Sequence, residues 1–100
     1  MRRRCRKDSN HEPIADGVRA HGYTVLDTSA VAQIIPGFPD MLIGGKGETF
    51  MLEIKDKNGS LTPDQVDFIS KWRGREIRVV ETLDGALQAI GALRDVPPPY

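Results

Sequence analysis

One hundred residues, 39% hydrophobic and 28% charged, suffice for one compact core and leave no room for a second module. A lone Cys5 excludes an internal disulfide and a cysteine-rich zinc site, and it fits a reducing cytosol. No apolar run approaches the roughly 20 residues of a membrane span, and no apolar segment follows the basic start, so a cytoplasmic protein is expected.

The formal charge of zero hides an asymmetry. Arg2, Arg3, Arg4, Arg6 and Lys7 supply five of the fourteen basic residues, which leaves nine bases against fourteen acids in residues 8–100. Residues 1–8 read as a flexible arm: a solvated leader, or cations that engage phosphates if the rest of the chain points to nucleic acid. Residues 9–94 read as the folded domain and residues 95–100 as a Pro-rich tail.

In chain order, Asn10 can cap a helix with Glu12 and Pro13 in its first turn. Ile14, Val18 and His21 or Tyr23 form its apolar stripe, and Gly22 ends it. YTVLD (23–27) has strand character, and TSAVAQIIPG (28–37) is irregular. DMLIG (40–44) and TFMLEIK (49–55) flank a glycine-rich turn, a strong hairpin signal. In the second run Phe50, Leu52 and Ile54 share one face, and Thr49, Met51, Glu53 and Lys55 the other. TPDQ (62–65) opens a helix with Thr62 as cap, Pro63 first and Gln65 completing a capping box. Val66, Ile69 and Trp72 are its stripe, with Trp72 expected in the core. EIRVV (76–80) is a short strand whose Glu76 and Arg78 face solvent. LDGALQAIGAL (83–93) is a last helix with Leu83, Leu87 and Ile90 on one side. The order is α-β-β-β-α-β-α, a small mixed sheet flanked by helices.

The chemistry lies in the hairpin. A turn centred between Lys46 and Gly47 sets opposite each other residues whose numbers sum to 93, which pairs Asp40 with Glu53. Opposed side chains lie on one face with Cβ atoms about 4.5–5.5 Å apart, and Lys55 follows on that face. Two carboxylates forced together need a cation or a proton between them, and a hard divalent ion such as Mg²⁺ suits oxygen ligands. Glu53 and Lys55 alone are weak evidence, since an acid two residues before a base recurs at Glu76 and Arg78. His11 and His21 read as a surface and a helix-end histidine.

Pro39-Asp40 followed by Glu53-Ile54-Lys55 resembles the PD-(D/E)xK nuclease superfamily, and PGFPDMLI…FMLEIKDKNGSLTPDQVDFISKW is similar to its virus-type replication-repair nuclease (VRR-NUC) branch. SNHEPIADGVRAHGYTV resembles the first helix of Holliday-junction resolvases, where an early Glu matches Glu12. The resemblance implies a restriction-endonuclease-like core. It implies that Asp40, Glu53, the Ile54 carbonyl and Glu12 hold Mg²⁺ or Mn²⁺, with Lys55 assisting the attacking water. Gln65 either serves only the helix cap or orients Lys55 or the water. The implied reaction is hydrolysis of DNA phosphodiester bonds, on branched substrates such as Holliday junctions, by a homodimer in a phage setting. Lys57, Lys71, Arg73 and Arg75, together with the arm, would grip phosphates. Two readings compete: a catalytically silent nuclease-fold subunit, and an interaction domain in which Glu53 and Lys55 only form salt bridges.

Overall fold

Alternating side chains in the two apolar runs after Pro39 set the centre of the fold. In the computed structural model, which describes residues 8–92, these runs are strands β2 (Met41–Gly45) and β3 (Glu48–Ile54). They pair antiparallel from Met41–Leu52 to Gly45–Glu48, every pair at the expected register. Lys46 and Gly47 both take positive φ, 55° and 76°, the two-residue turn whose twist matches the strands it joins.

Strand β1 (Thr24–Asp27) adds antiparallel to β2, and β4 (Arg78–Val80) adds parallel to β3. The sheet order is β1-β2-β3-β4. The helices are α1 (His11–Ala20), α2 (Pro63–Lys71) and α3 (Leu83–Ala89). The chain is thus a small α/β structure with a mixed four-stranded sheet, in the element order that the sequence pattern predicts. A 3-10 helix, Ser29–Gln33, lies within the stretch read as irregular.

The two faces of the sheet differ. On one, Ile14, Ala15 and Val18 from α1, with Ala86, Leu87 and Ile90 at α3, pack against Val25, Met41, Ile43, Leu52, Ile54 and Val80. Met41 and Ile43 are fully buried and Leu52 is nearly so. Leu52→Ala would cost about 2–5 kcal/mol, because it removes apolar contacts and leaves a cavity. The other face carries Leu42, Met51 and Glu53, with α2 beside it. Residues Phe50 to Ile54 are buried on both faces of β3, so the acid in this strand has lost its water.

Helix α2 begins as its sequence dictates. Gln65 N–H donates to Thr62 Oγ1 at 3.2 Å, and Thr62 N–H donates to Gln65 Oε1 at 2.9 Å. Its packing departs from expectation: no residue of α2 is buried, Val66 is 51% exposed and Trp72 41%. The helix is held by Phe68, whose ring meets Phe38 edge-on at 5.5 Å and stacks on Trp72 at 5.7 Å. Gly37, at φ 85°, lets the loop pass under α2, where a Cβ would fall 2.1 Å from the Asp64 carbonyl oxygen.

Candidate metal centre

Asp40 sits where three strands meet. Its N–H donates to the Leu52 carbonyl at 3.1 Å, and its carbonyl accepts from the Thr28 N–H at 2.8 Å. Its Oδ2 accepts the Ile54 N–H at 2.8 Å. The regular ladder therefore stops at Met41–Leu52, one step short of the expected Asp40–Glu53 pair. The carboxylate of Asp40, in place of a backbone carbonyl, has taken the next amide of β3. The Asp40 carboxylate, held on the amide next to Glu53, stays close enough to act on the Glu53 carboxyl.

Glu53 is 1% exposed. Its Oε2 accepts a hydrogen bond from Gln65 Nε2 at 2.9 Å, while its buried Oε1 has no donor. Its pKa is pushed from 4.5 up to about 9, first by burial, then by the charge and hydrogen-bonding side chain of Asp40, with Asp8 adding to the rise and Lys55 opposing it. Neither carboxylate can donate to the other unless one holds a proton. Orphaned buried oxygens of this kind are rare because each costs about 1–3 kcal/mol or more. A divalent cation would remove the conflict, and the oxygen-only donor set of Asp40 and Glu53 suits Mg²⁺ or Mn²⁺. The Ile54 carbonyl follows directly on Glu53.

Lys55 completes the group. Its N–H donates to the Val80 carbonyl at 3.0 Å and its own carbonyl accepts from Asn10 Nδ2, also at 3.0 Å. The backbone is thus pinned on both sides while the half-buried side chain bears on Glu53 electrostatically. Gln65 is more than a cap residue: the side chain that closes the capping box also donates to Glu53, a partner that the sequence does not name for it.

The N-terminal segment differs from expectation. Asn10 does not cap α1 with its side chain; its Nδ2 spans the Lys55 and Glu81 carbonyls, 3.0 and 2.7 Å away. Glu12 does not join Asp40 and Glu53. Among the described residues the one set of three acid or histidine ligand atoms within 4.8 Å of one another is His11, Glu12 and Asp27. The acid of this segment whose charge bears on Glu53 is Asp8, whose Oδ2 accepts the Asp56 N–H at 3.0 Å. Nothing in the spacing of Asp8 marks it. His11, read as a surface residue, is buried at 2% exposure, whereas His21 is exposed at the end of α1.

The proposed phosphate-gripping cations are dispersed. Lys71 is paired with Asp67 at 3.0 Å. Arg75 is paired with Glu48 and lies over the Phe50 ring, at the hairpin end of β3 and away from Glu53. Lys57 and Arg73 are exposed, and Arg2, Arg3, Arg4, Arg6 and Lys7 lie outside the described residues.

Fold and site together define a small α/β protein with a buried carboxyl at Glu53, a half-buried one at Asp40, a lysine and a glutamine at one end of its sheet. Compared with known proteins, the chain matches no family model, no curated protein and no solved structure at a significant level.

Proposed function

We propose that the protein is a metal-dependent endonuclease of the PD-(D/E)xK type that hydrolyses DNA phosphodiester bonds. The observation that carries this reading is the buried, donor-less Oε1 of Glu53 beside Asp40, with Lys55 two residues on, just past the end of β3. Without an ion the pair is reconciled only by a proton that burial and the Asp40 charge keep on Glu53, and a buried carboxyl shifted this way beside a second acid is more typical of functional sites than of docking surfaces.

Asp40 and Glu53 would hold Mg²⁺ or Mn²⁺. The bound ion supplies Lewis acidity toward phosphate and acidifies water. The remaining roles belong to the chain. The Ile54 N–H fixes the Asp40 carboxylate and Gln65 fixes that of Glu53, so both keep their orientation without reorganising during the reaction. Lys55, anchored by Val80 and Asn10 through its backbone, directs its ammonium at water and the scissile phosphate. Water's oxygen bonds to phosphorus, the bond from phosphorus to the 3′ oxygen breaks, and a 5′-phosphate and a 3′-hydroxyl result. Branched DNA is the proposed substrate, cut by a symmetric dimer with paired sites.

The test is cleavage of plasmid and four-way-junction DNA by the full chain with Mn²⁺, comparing wild type with Glu53→Gln. Cleavage by the wild type alone is expected. Equal cleavage by both proteins would remove the assignment.

A further inference from the structure

His11 lies at the start of α1 with its ring almost wholly buried, and neither Nδ1 nor Nε2 has a hydrogen-bond partner. A buried neutral imidazole carries one N–H donor and one lone pair, and here neither is met by a hydrogen bond, which leaves the ring to be completed by protonation between its flanking acids or by a bound cation. Two carboxylates flank it at ion-pair distance, one beside each ring nitrogen: Glu12 Oε2 is 3.8 Å from Nδ1, and Asp27 Oδ1 is 3.8 Å from Nε2. Both separations exceed a hydrogen bond.

We propose that His11, Glu12 and Asp27 form a second cation site, for a divalent ion of the zinc class. One ligand atom from each of the three lies within 4.8 Å of the others. An ion bound at about 2.0–2.2 Å holds tetrahedral ligands about 3.4 Å apart, so closure needs a contraction of about an ångström or a little more. Glu12, 58% exposed, can supply it by a rotamer change. Asp27 is already oriented, because its Oδ1 accepts from Ser29 N–H at 2.9 Å and Ser29 Oγ at 2.6 Å. Supporting bonds of this kind hold metal-ligating carboxylates in place. The imidazole forms the floor and the two carboxylates the solvent-facing rim, which leaves the ion an entry path.

One nitrogen and two oxygens suit Zn²⁺, Co²⁺ or Ni²⁺ better than Mg²⁺. This separates the site chemically from the all-oxygen pair at Asp40 and Glu53. It is separate in space too. Asp27 pairs with Met41 in the β1–β2 register, and both belong to the sheet face under α1. Asp40 and Glu53 belong to the opposite face. The ion would clamp the start of α1 to the end of β1, whether or not the chain cuts DNA.

The experiment is Zn²⁺ titration by calorimetry, with thermal melts, of the untagged full chain carrying Cys5→Ser and Glu53→Gln, so that neither the thiol nor the other site competes. One equivalent of Zn²⁺ should bind and raise the melting temperature, and Co²⁺ should give the visible absorption of a low-coordinate site. Glu12→Gln, on the exposed rim, and Asp27→Asn should each weaken binding by roughly tenfold or more. Absence of a Zn²⁺-dependent shift, or a shift in both rim variants as large as in the parent protein, would overturn the proposal. Neither result bears on DNA cleavage, which is measured with the first site intact.

Discussion

Replacing Glu53 by Gln should make the ion-free protein more stable at pH 8 and remove the part of its pH dependence that Glu53 contributes between pH 5 and pH 8. Folded Glu53 keeps its proton up to about pH 9, whereas the unfolded chain releases it near 4.5. The folded state therefore binds the proton more tightly. Its contribution is complete below about pH 4.5 and is lost as pH rises toward 9. At about 1.4 kcal/mol per pH unit, wild type loses up to roughly 4 kcal/mol between pH 5 and pH 8, the proton being shared with Asp40. In Glu53→Gln, the amide oxygen can still accept from Gln65 Nε2 and the amide N–H groups can donate to Asp40. That satisfies both neighbours with no charge to titrate. Urea denaturation in the presence of a chelator measures this directly. Equal wild-type stability at pH 5 and pH 8, or a variant with the same slope as wild type, would refute the reasoning.

Three further outcomes follow from the same geometry. At pH 8, Mn²⁺ at a hundredfold excess over its dissociation constant should stabilise wild type by about 2.7 kcal/mol, a rise of roughly 10–20 °C by calorimetry, and most of that rise should vanish in Glu53→Gln. Thr62→Ala should cost about 1 kcal/mol of stability through the lost cap and leave cleavage intact, whereas Gln65→Ala should cost as much and also slow cleavage about tenfold or more; identical cleavage in the two variants would confine Gln65 to capping. Lys55→Met should lower single-turnover cleavage by about 10²–10³-fold with little change in melting temperature, and a loss of under tenfold would remove Lys55 from the chemistry.

The parts of the fold legible in the sequence are those whose physics is local. The hairpin register follows from Lys46-Gly47 and from period-two alternation on either side, and the start of α2 follows from four consecutive residues. The approach of Asp40 to Glu53 was legible for the same reason, although the ladder breaks one step early because a side chain replaced a carbonyl as acceptor. What escaped is long-range. Asn10 bonds to residues 45 and 71 positions away, and Asp8 to one 48 away; no local pattern encodes such partners. His11 looked like a surface residue because its burial depends on how α1 meets the end of β1. Trp72 marks the apolar side of α2, but helical spacing does not say whether anything covers that side.

That sparse covering has a consequence for how the protein comes apart. Helix α2 is attached by one phenylalanine between two other rings, by the passage at Gly37 and by the bond from Gln65 to Glu53, whereas the opposite side of the sheet is a continuous core. Segments with few buried contacts open at lower free energy than the whole molecule, so this helix should exchange its amide hydrogens before the strands do. Because it carries the residue that steadies Glu53, a thermal excursion disarms the carboxylate pair while the sheet beneath stays intact.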